Sequence, residues 1–224
     1  MLFGVLTAFV GAPIFAANHA LVMWIGAYPD DAKLPGIHLD AAMAKKLAKA
    51  MGVPNQNITE FSNASLTANG FANALNNFQQ KVKVGDQVFI YYSGHGAQMN
   101  SSSGAKCSEG MVGIDLTPFP DVKIEQYLKL IGNKAKQVVM FNDSCFSGGQ
   151  VSKSLDDDSS NSDFEIKPKL LKSEWLIEDK ANPSSYQCGD SINARVSKAL
   201  DSASQTYGSN FLYIAASSEK EVSF

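Results

Sequence analysis

Two short boxes in this chain place reactive side chains where a fold can use them. Val88-Phe89-Ile90-Tyr91-Tyr92 runs into Ser93-Gly94-His95-Gly96, and Val138-Val139-Met140-Phe141-Asn142 runs into Asp143-Ser144-Cys145-Phe146-Ser147-Gly148-Gly149. Each box closes an apolar run with the length and composition of a buried strand. His95 and Cys145 are thereby expected at the carboxyl ends of two strands, the edge where open α/β sheets build their sites. A thiol of unperturbed pKa about 8.5 is a poor nucleophile until a base or cation stands beside it, and an imidazole is such a base. Glycines on both sides of His95 leave room for the ring and for an approaching backbone. The backbone N–H groups of Gly96 and Cys145 are candidates for an oxyanion hole, in which a single donor is worth about 2.7–4 kcal/mol. Singly, each box is weak, since a strand-end cysteine is usually inert and a histidine beside glycine is usually a turn. Together they are the minimum set for a thiol nucleophile and its base.

The elements that must position these residues follow from hydrophobic period. Ala20–Ile25 reads as a first buried strand closed by Gly26. Asp40–Met51 has helical periodicity, with Ala44, Leu47 and Ala48 on one face, and Gly52-Val53-Pro54 stops it. Asn57–Phe61 is a short strand, and Thr67–Lys81 an amphipathic helix carrying Phe71, Leu75 and Phe78. Asp86–Ser93 is the second strong strand, Ile124–Ile131 a helix, Gln137–Asn142 a further strand and Phe211–Ala216 the last. Strands alternating with helices predict an α/β fold, a mostly parallel central sheet with helices on both faces. Two regions break the alternation. Met99–Ser108 is a Ser/Gly-rich loop just past the histidine. Residues 151–210 form a long polar connection with one short helix near Ser191–Ala203.

The 224 residues suffice for one good core, and 45% hydrophobic with 18% charged residues is a globular composition. A net charge of −3 and the absence of a basic stripe argue against nucleic-acid binding. Arg195 is the sole arginine. Residues 1–17 are apolar or small and uncharged, too short and too rich in Gly, Ala and Pro for a membrane span. They read as a secretory signal peptide cleaved near Ala16 or Ala17, which makes the chain secreted or periplasmic. A buried N-terminal strand or helix, in a cytoplasmic protein, is the alternative. Cys107 and Cys188 either pair in an oxidising compartment or remain two loop thiols.

The boxes Tyr92-Ser93-Gly94-His95-Gly96 and Asp143-Ser144-Cys145-Phe146-Ser147-Gly148 resemble the histidine and cysteine boxes of caspase-like peptidases, especially metacaspases and bacterial orthocaspases. Cys145 follows His95 by 50 positions, the separation expected in caspases. Leu34–Ala42, Glu109–Asp115 and Ala215–Ser218 resemble further segments of that family, so the likeness runs from Ala20 to Phe224. It implies a caspase-like three-layer sandwich over residues 18–224 and a cysteine endopeptidase acting through a His95–Cys145 dyad on protein or peptide substrates. Family members continue past Phe224 with a further strand and helices, so the resemblance also raises a truncated C-terminal end.

The resemblance further implies that Asp40 and Asp143 bind the residue before the scissile bond. Two carboxylates attract Lys or Arg and repel Asp. Capping or turn roles for both are the bland alternative. A basic specificity makes the long loop a target for self-cleavage, with Lys153, Lys167, Lys169, Lys172, Arg195 and Lys198 as candidates. Pro168 blocks Lys167, and Lys153 and Lys172, each followed by Ser, are preferred. The chemistry requires no cofactor. Some metacaspases need calcium, and Glu109, Asp115 and Asp121 lie in the corresponding stretch without a complete ligand set. A monomer is expected. A catalytically silent binding module of the same fold and an Asp-specific caspase-type peptidase are the competing functions.

Overall fold

β1 (Asn18–Trp24) holds four consecutive buried residues, Ala20 to Met23, as a strand covered on both faces must. The computed structural model describes residues 16–99, 108–144, 169 and 210–215; the side chains of residues 98, 99, 108, 109, 121, 122 and 215 lie outside that description. Parallel strands flank β1 on both sides. With β2 (Ile58–Ser62), β3 (Gln87–Ser93), β7 (Gln137–Asp143) and β8 (Phe211–Ala215) it forms a five-stranded sheet in the order β2-β1-β3-β7-β8.

Helices cover both faces, as the alternating pattern predicts. On one face α1 (Ile37–Ala50) lays Ala41, Ala44 and Ala48 against Ala20, Val22, Phe89 and Tyr91. Its alanines let the helix sit close to the sheet. On the other face α2 (Ala68–Lys81) and α3 (Asp121–Gly132) contribute Phe71, Leu75, Phe78, Leu128 and Ile131 to the larger core, with Leu21, Met23, Val88 and Ile90 below. The Thr67 side chain caps α2 by accepting from the Gly70 N–H at 3.0 Å.

Two details differ from the sequence expectation. α1 begins at Ile37 rather than Asp40, because Gly36 takes a left-handed φ of 86° and turns the chain directly into the helix. Asp40 therefore lies in the first turn, where the helix dipole favours a carboxylate. The ends of the Ser/Gly-rich stretch after the histidine are strands. β4 (Gly96–Met99), β5 (Ser108–Val112) and β6 (Pro118–Pro120) form a small antiparallel sheet. They are short and rich in Gly, Ser and Pro, which hides them from a periodicity reading; two prolines are tolerated in β6 because it is an edge strand.

Residues 1–15 of the leader, Cys107, Cys188 and the Ser191–Ala203 helix lie outside the described residues. Of the long connection, Lys169 and Asn210 are described. Among the described residues no helix is long and apolar enough to cross a membrane.

Asp86 ties the amino edge of the sheet together. Its carboxylate, 2% exposed, accepts from the Ala17 N–H at 2.7 Å and the Lys83 N–H at 2.8 Å and lies 3.2 Å from His19 Nε2. Asp86→Ala removes the acceptor from these part-buried donors and is expected to cost about 1–3 kcal/mol in urea unfolding. A loss under about 0.5 kcal/mol means water replaces the carboxylate without penalty.

Candidate active site

The strand order reverses around β1, because β2 and β3 leave it on opposite sides, and ligands bind beyond the carboxyl ends of strands at such a point. β3 and β7 are neighbours in parallel register, with Ser93 opposite Asp143. His95 and Cys145 each follow two residues beyond that pair. Register alone thus delivers the two to adjacent strand exits; Cys145 itself lies outside the described residues. The approach to it is braced. Ser144 is fully buried and donates to Asn142 Oδ1 at 2.8 Å, while Asn142 Nδ2 donates to the Tyr213 hydroxyl of β8 at 2.9 Å.

His95 is 2% exposed and held from several sides. Its N–H donates to the Tyr28 hydroxyl at 3.0 Å, and its carbonyl accepts from the Tyr92 hydroxyl at 2.9 Å. Tyr28 in turn donates to the Val112 carbonyl at 2.8 Å, and its ring packs on the imidazole with centroids 4.5 Å apart. Both phenols are buried, which pushes their pKa values far up and keeps them protonated donors. Gly94 is required beside this clamp: a Cβ there would stand 2.5 Å from the Tyr92 hydroxyl oxygen and 2.9 Å from that of Tyr28.

The ring tautomer follows from one contact. His95 Nε2 lies 2.7 Å from the Ala32 carbonyl, and a carbonyl oxygen only accepts, so Nε2 carries the proton. Nδ1 is then the lone-pair nitrogen. It is buried and has no hydrogen-bond partner among the described residues. Burial lowers the pKa of the ring below its ordinary value, against a smaller upward pull from the Ala32 and Lys169 carbonyls. At neutral pH the ring is a neutral base with its acceptor uncommitted to any described group.

Asp40 and Asp143 come together beside it, on α1 and at the end of β7. Between them stands a lysine. Lys169 Nζ lies 2.9 Å from Asp40 Oδ2 and 2.7 Å from Asp143 Oδ2, and the residue is 3% exposed. Its own carbonyl accepts from the Gly96 N–H at 3.0 Å. One residue of the long connection therefore fills a two-carboxylate pocket with its side chain and takes a proposed oxyanion donor with its backbone.

Residues 17–224 match the caspase domain. The chain belongs to the caspase-like peptidase family. Metacaspase-7 of Arabidopsis thaliana is 28% identical over 145 residues, which cover 60% of this chain and 36% of that protein. Metacaspase-6 of the same plant is 27% identical over 145 residues, covering 60% and 39%. This caspase domain thus spans well under half the length of these curated relatives. The crystal structure of protein GSU0716 from Geobacter sulfurreducens shares the fold, with a TM-score of 0.60 at 17% identity over 92% of this chain and 75% of that one.

Tyr28 and the Ala32 carbonyl have no motif of their own and escape a sequence reading. Ser93 and Tyr91 could have been placed on the pocket side of β3 from the period-two alternation once the β3–β7 register was assumed. Lys153 and Lys172 lie outside the described residues, as do the side chains of Glu109 and Asp121. Among the described residues no group of three or more His, Cys, Asp or Glu side chains is placed to hold a metal ion. Asp115 Oδ1 accepts instead from the Thr117 N–H at 3.4 Å, closing a turn.

In the Cys145→Ala chain, nitrogen chemical shifts of His95 are expected to report an Nε2-protonated ring titrating below the ordinary value of about 6.5. Because the folded-state pKa is the lower one, this ring's contribution to stability is full above the unfolded pKa and is lost as pH falls through the folded one. A ring that titrates at or above 6.5, or carries its proton on Nδ1, contradicts the assignment.

Proposed function

We propose that this chain is a cysteine endopeptidase that hydrolyses peptide bonds after Lys or Arg, with its own Lys169–Leu170 bond as the first substrate. The observation that carries this reading is the double seating of Lys169, ammonium between Asp40 and Asp143 and carbonyl on the Gly96 N–H. A buried lysine is rare unless paired, and here the pairing fixes the side chain that precedes a bond whose carbonyl is already polarised.

The chemistry then runs through groups of this chain. The Cys145 thiol passes its proton to His95 Nδ1, and the thiolate attacks the Lys169 carbonyl carbon. The oxyanion that forms is held by the Gly96 N–H and, by analogy, the Cys145 N–H. As the C–N bond to Leu170 breaks, His95 returns the proton to the leaving amine. Water then cleaves the thioester, releasing the Lys169 carboxylate and restoring the thiol. Until Lys169 leaves, its side chain blocks the pocket, so the uncut chain is a zymogen. Calcium is retained as a variable of the test and not as a part of this chemistry.

Short peptides ending in Lys, Arg and Asp before a reporter group, each with and without calcium, test the reading. Lys and Arg peptides should turn over, and the Asp peptide at least about a hundredfold more slowly, since a like charge desolvated in the pocket costs several kcal/mol. Cys145→Ala should give no turnover. Asp143→Ala should lose about tenfold or more in kcat/KM on basic peptides while Cys145 still reacts with a small uncharged thiol reagent. Undiminished cleavage by Asp143→Ala puts the pocket elsewhere, and absence of thiol labelling in the folded parent favours a silent binding module.

A further inference from the structure

Each pocket carboxylate is held by a hydroxyl as well as by the lysine. Ser93 Oγ donates to Asp40 Oδ2 at 3.0 Å, and Tyr91 Oη donates to Asp143 Oδ2 at 2.9 Å. These are the same two oxygens that Lys169 Nζ contacts. Both donors come from β3, two residues apart and so on one face of the sheet. The Tyr91 ring is fixed from its sides: it stacks on Phe141 of β7 at 5.6 Å and 16° and lies 6.4 Å from Phe89. Burial, and then the Asp143 charge, push the phenol pKa far above its ordinary value, so this hydroxyl stays a donor at every working pH.

We infer that Tyr91 is a specificity-determining positioning residue that biases the pocket toward lysine over arginine by fixing which oxygen of Asp143 meets the incoming cation. This rests on the basic-pocket reading above. An ammonium is a compact point charge that is satisfied by one oxygen from each of two carboxylates, the arrangement Lys169 adopts. A planar guanidinium binds best through two parallel N–H···O bonds to both oxygens of one carboxylate. A phenol anchored by its own stacked ring and bonded to the pocket-facing oxygen resists the rotation that would present both. The same bond matters when the pocket empties. Two carboxylates converging on one point repel, and a hydroxyl on each keeps them in place for the next cation, which lowers the cost of binding.

Tyr91→Phe removes the hydroxyl and keeps the stacked ring. It is expected to raise KM for Lys peptides about tenfold with kcat within about twofold, and to lower the Lys-to-Arg ratio of kcat/KM by about fivefold or more. Labelling of Cys145 by an uncharged thiol reagent should stay at the parental rate. A merely structural role would instead depress kcat on both peptides and slow labelling, with the Lys-to-Arg ratio intact. That pattern overturns the inference, as does a variant with the parent's KM and ratio. A parent that cleaves after neither Lys nor Arg removes the pocket reading itself, so the two failures are distinguishable.

Discussion

A lysine ammonium only 3% exposed is stable in a protein only where anionic partners replace its water. Lys169 meets that requirement with Asp40 from the first turn of α1 and Asp143 from the end of β7. The rest of the site follows from this one ion triad. It joins a helix on one face of the sheet to a strand two places away from β1, and it does so through residues far apart in the chain. Both carboxylates carry a hydroxyl donor from β3, so the triad is also bonded to the strand that delivers His95. Removing either acid leaves a buried charge with half its compensation, which is costlier than never having buried it.

The triad needs a rigid frame, and the frame is the parallel sheet. Ser93 and Asp143 are register partners, so the groups that hold the cation and the residues that follow them leave the sheet at one level. Beyond that level the histidine is oriented by neutral groups: a tyrosine hydroxyl on either side of its backbone and the Ala32 carbonyl on Nε2. A carbonyl in that place sets the tautomer without adding a charge beside a ring that burial already keeps neutral. The division is physically sensible. Charge is placed where the Lys169 ammonium sits, and neutral hydrogen bonds hold the imidazole.

Much of this frame is legible in the sequence, because its signals are strong and local. Continuous apolar runs such as Ala20–Met23 and Val88–Tyr92 can be little else than strands buried on both faces, and the alanine spacing of α1 marks a helix lying flat on them. The strand-end position of His95 follows from the second of those runs. Less legible are features that exist only in three dimensions. Tyr28 meets His95 across 67 residues of sequence, and no local period announces it. β4 to β6 are too short and too rich in Gly, Ser and Pro to read as strands. Lys169 is one of several lysines in a polar stretch, and what singles it out is its pairing with acids 129 and 26 positions away.

The most direct measurement is the new amino terminus that appears when the wild-type chain is incubated alone, read by mass spectrometry beside Cys145→Ala. Seating of Lys169 between the two carboxylates, with its carbonyl on Gly96, predicts a fragment beginning at Leu170 and an intact Cys145→Ala chain. A first cut leaving Ser154 or Ser173 at the terminus, or cutting that survives Cys145→Ala, would contradict the account.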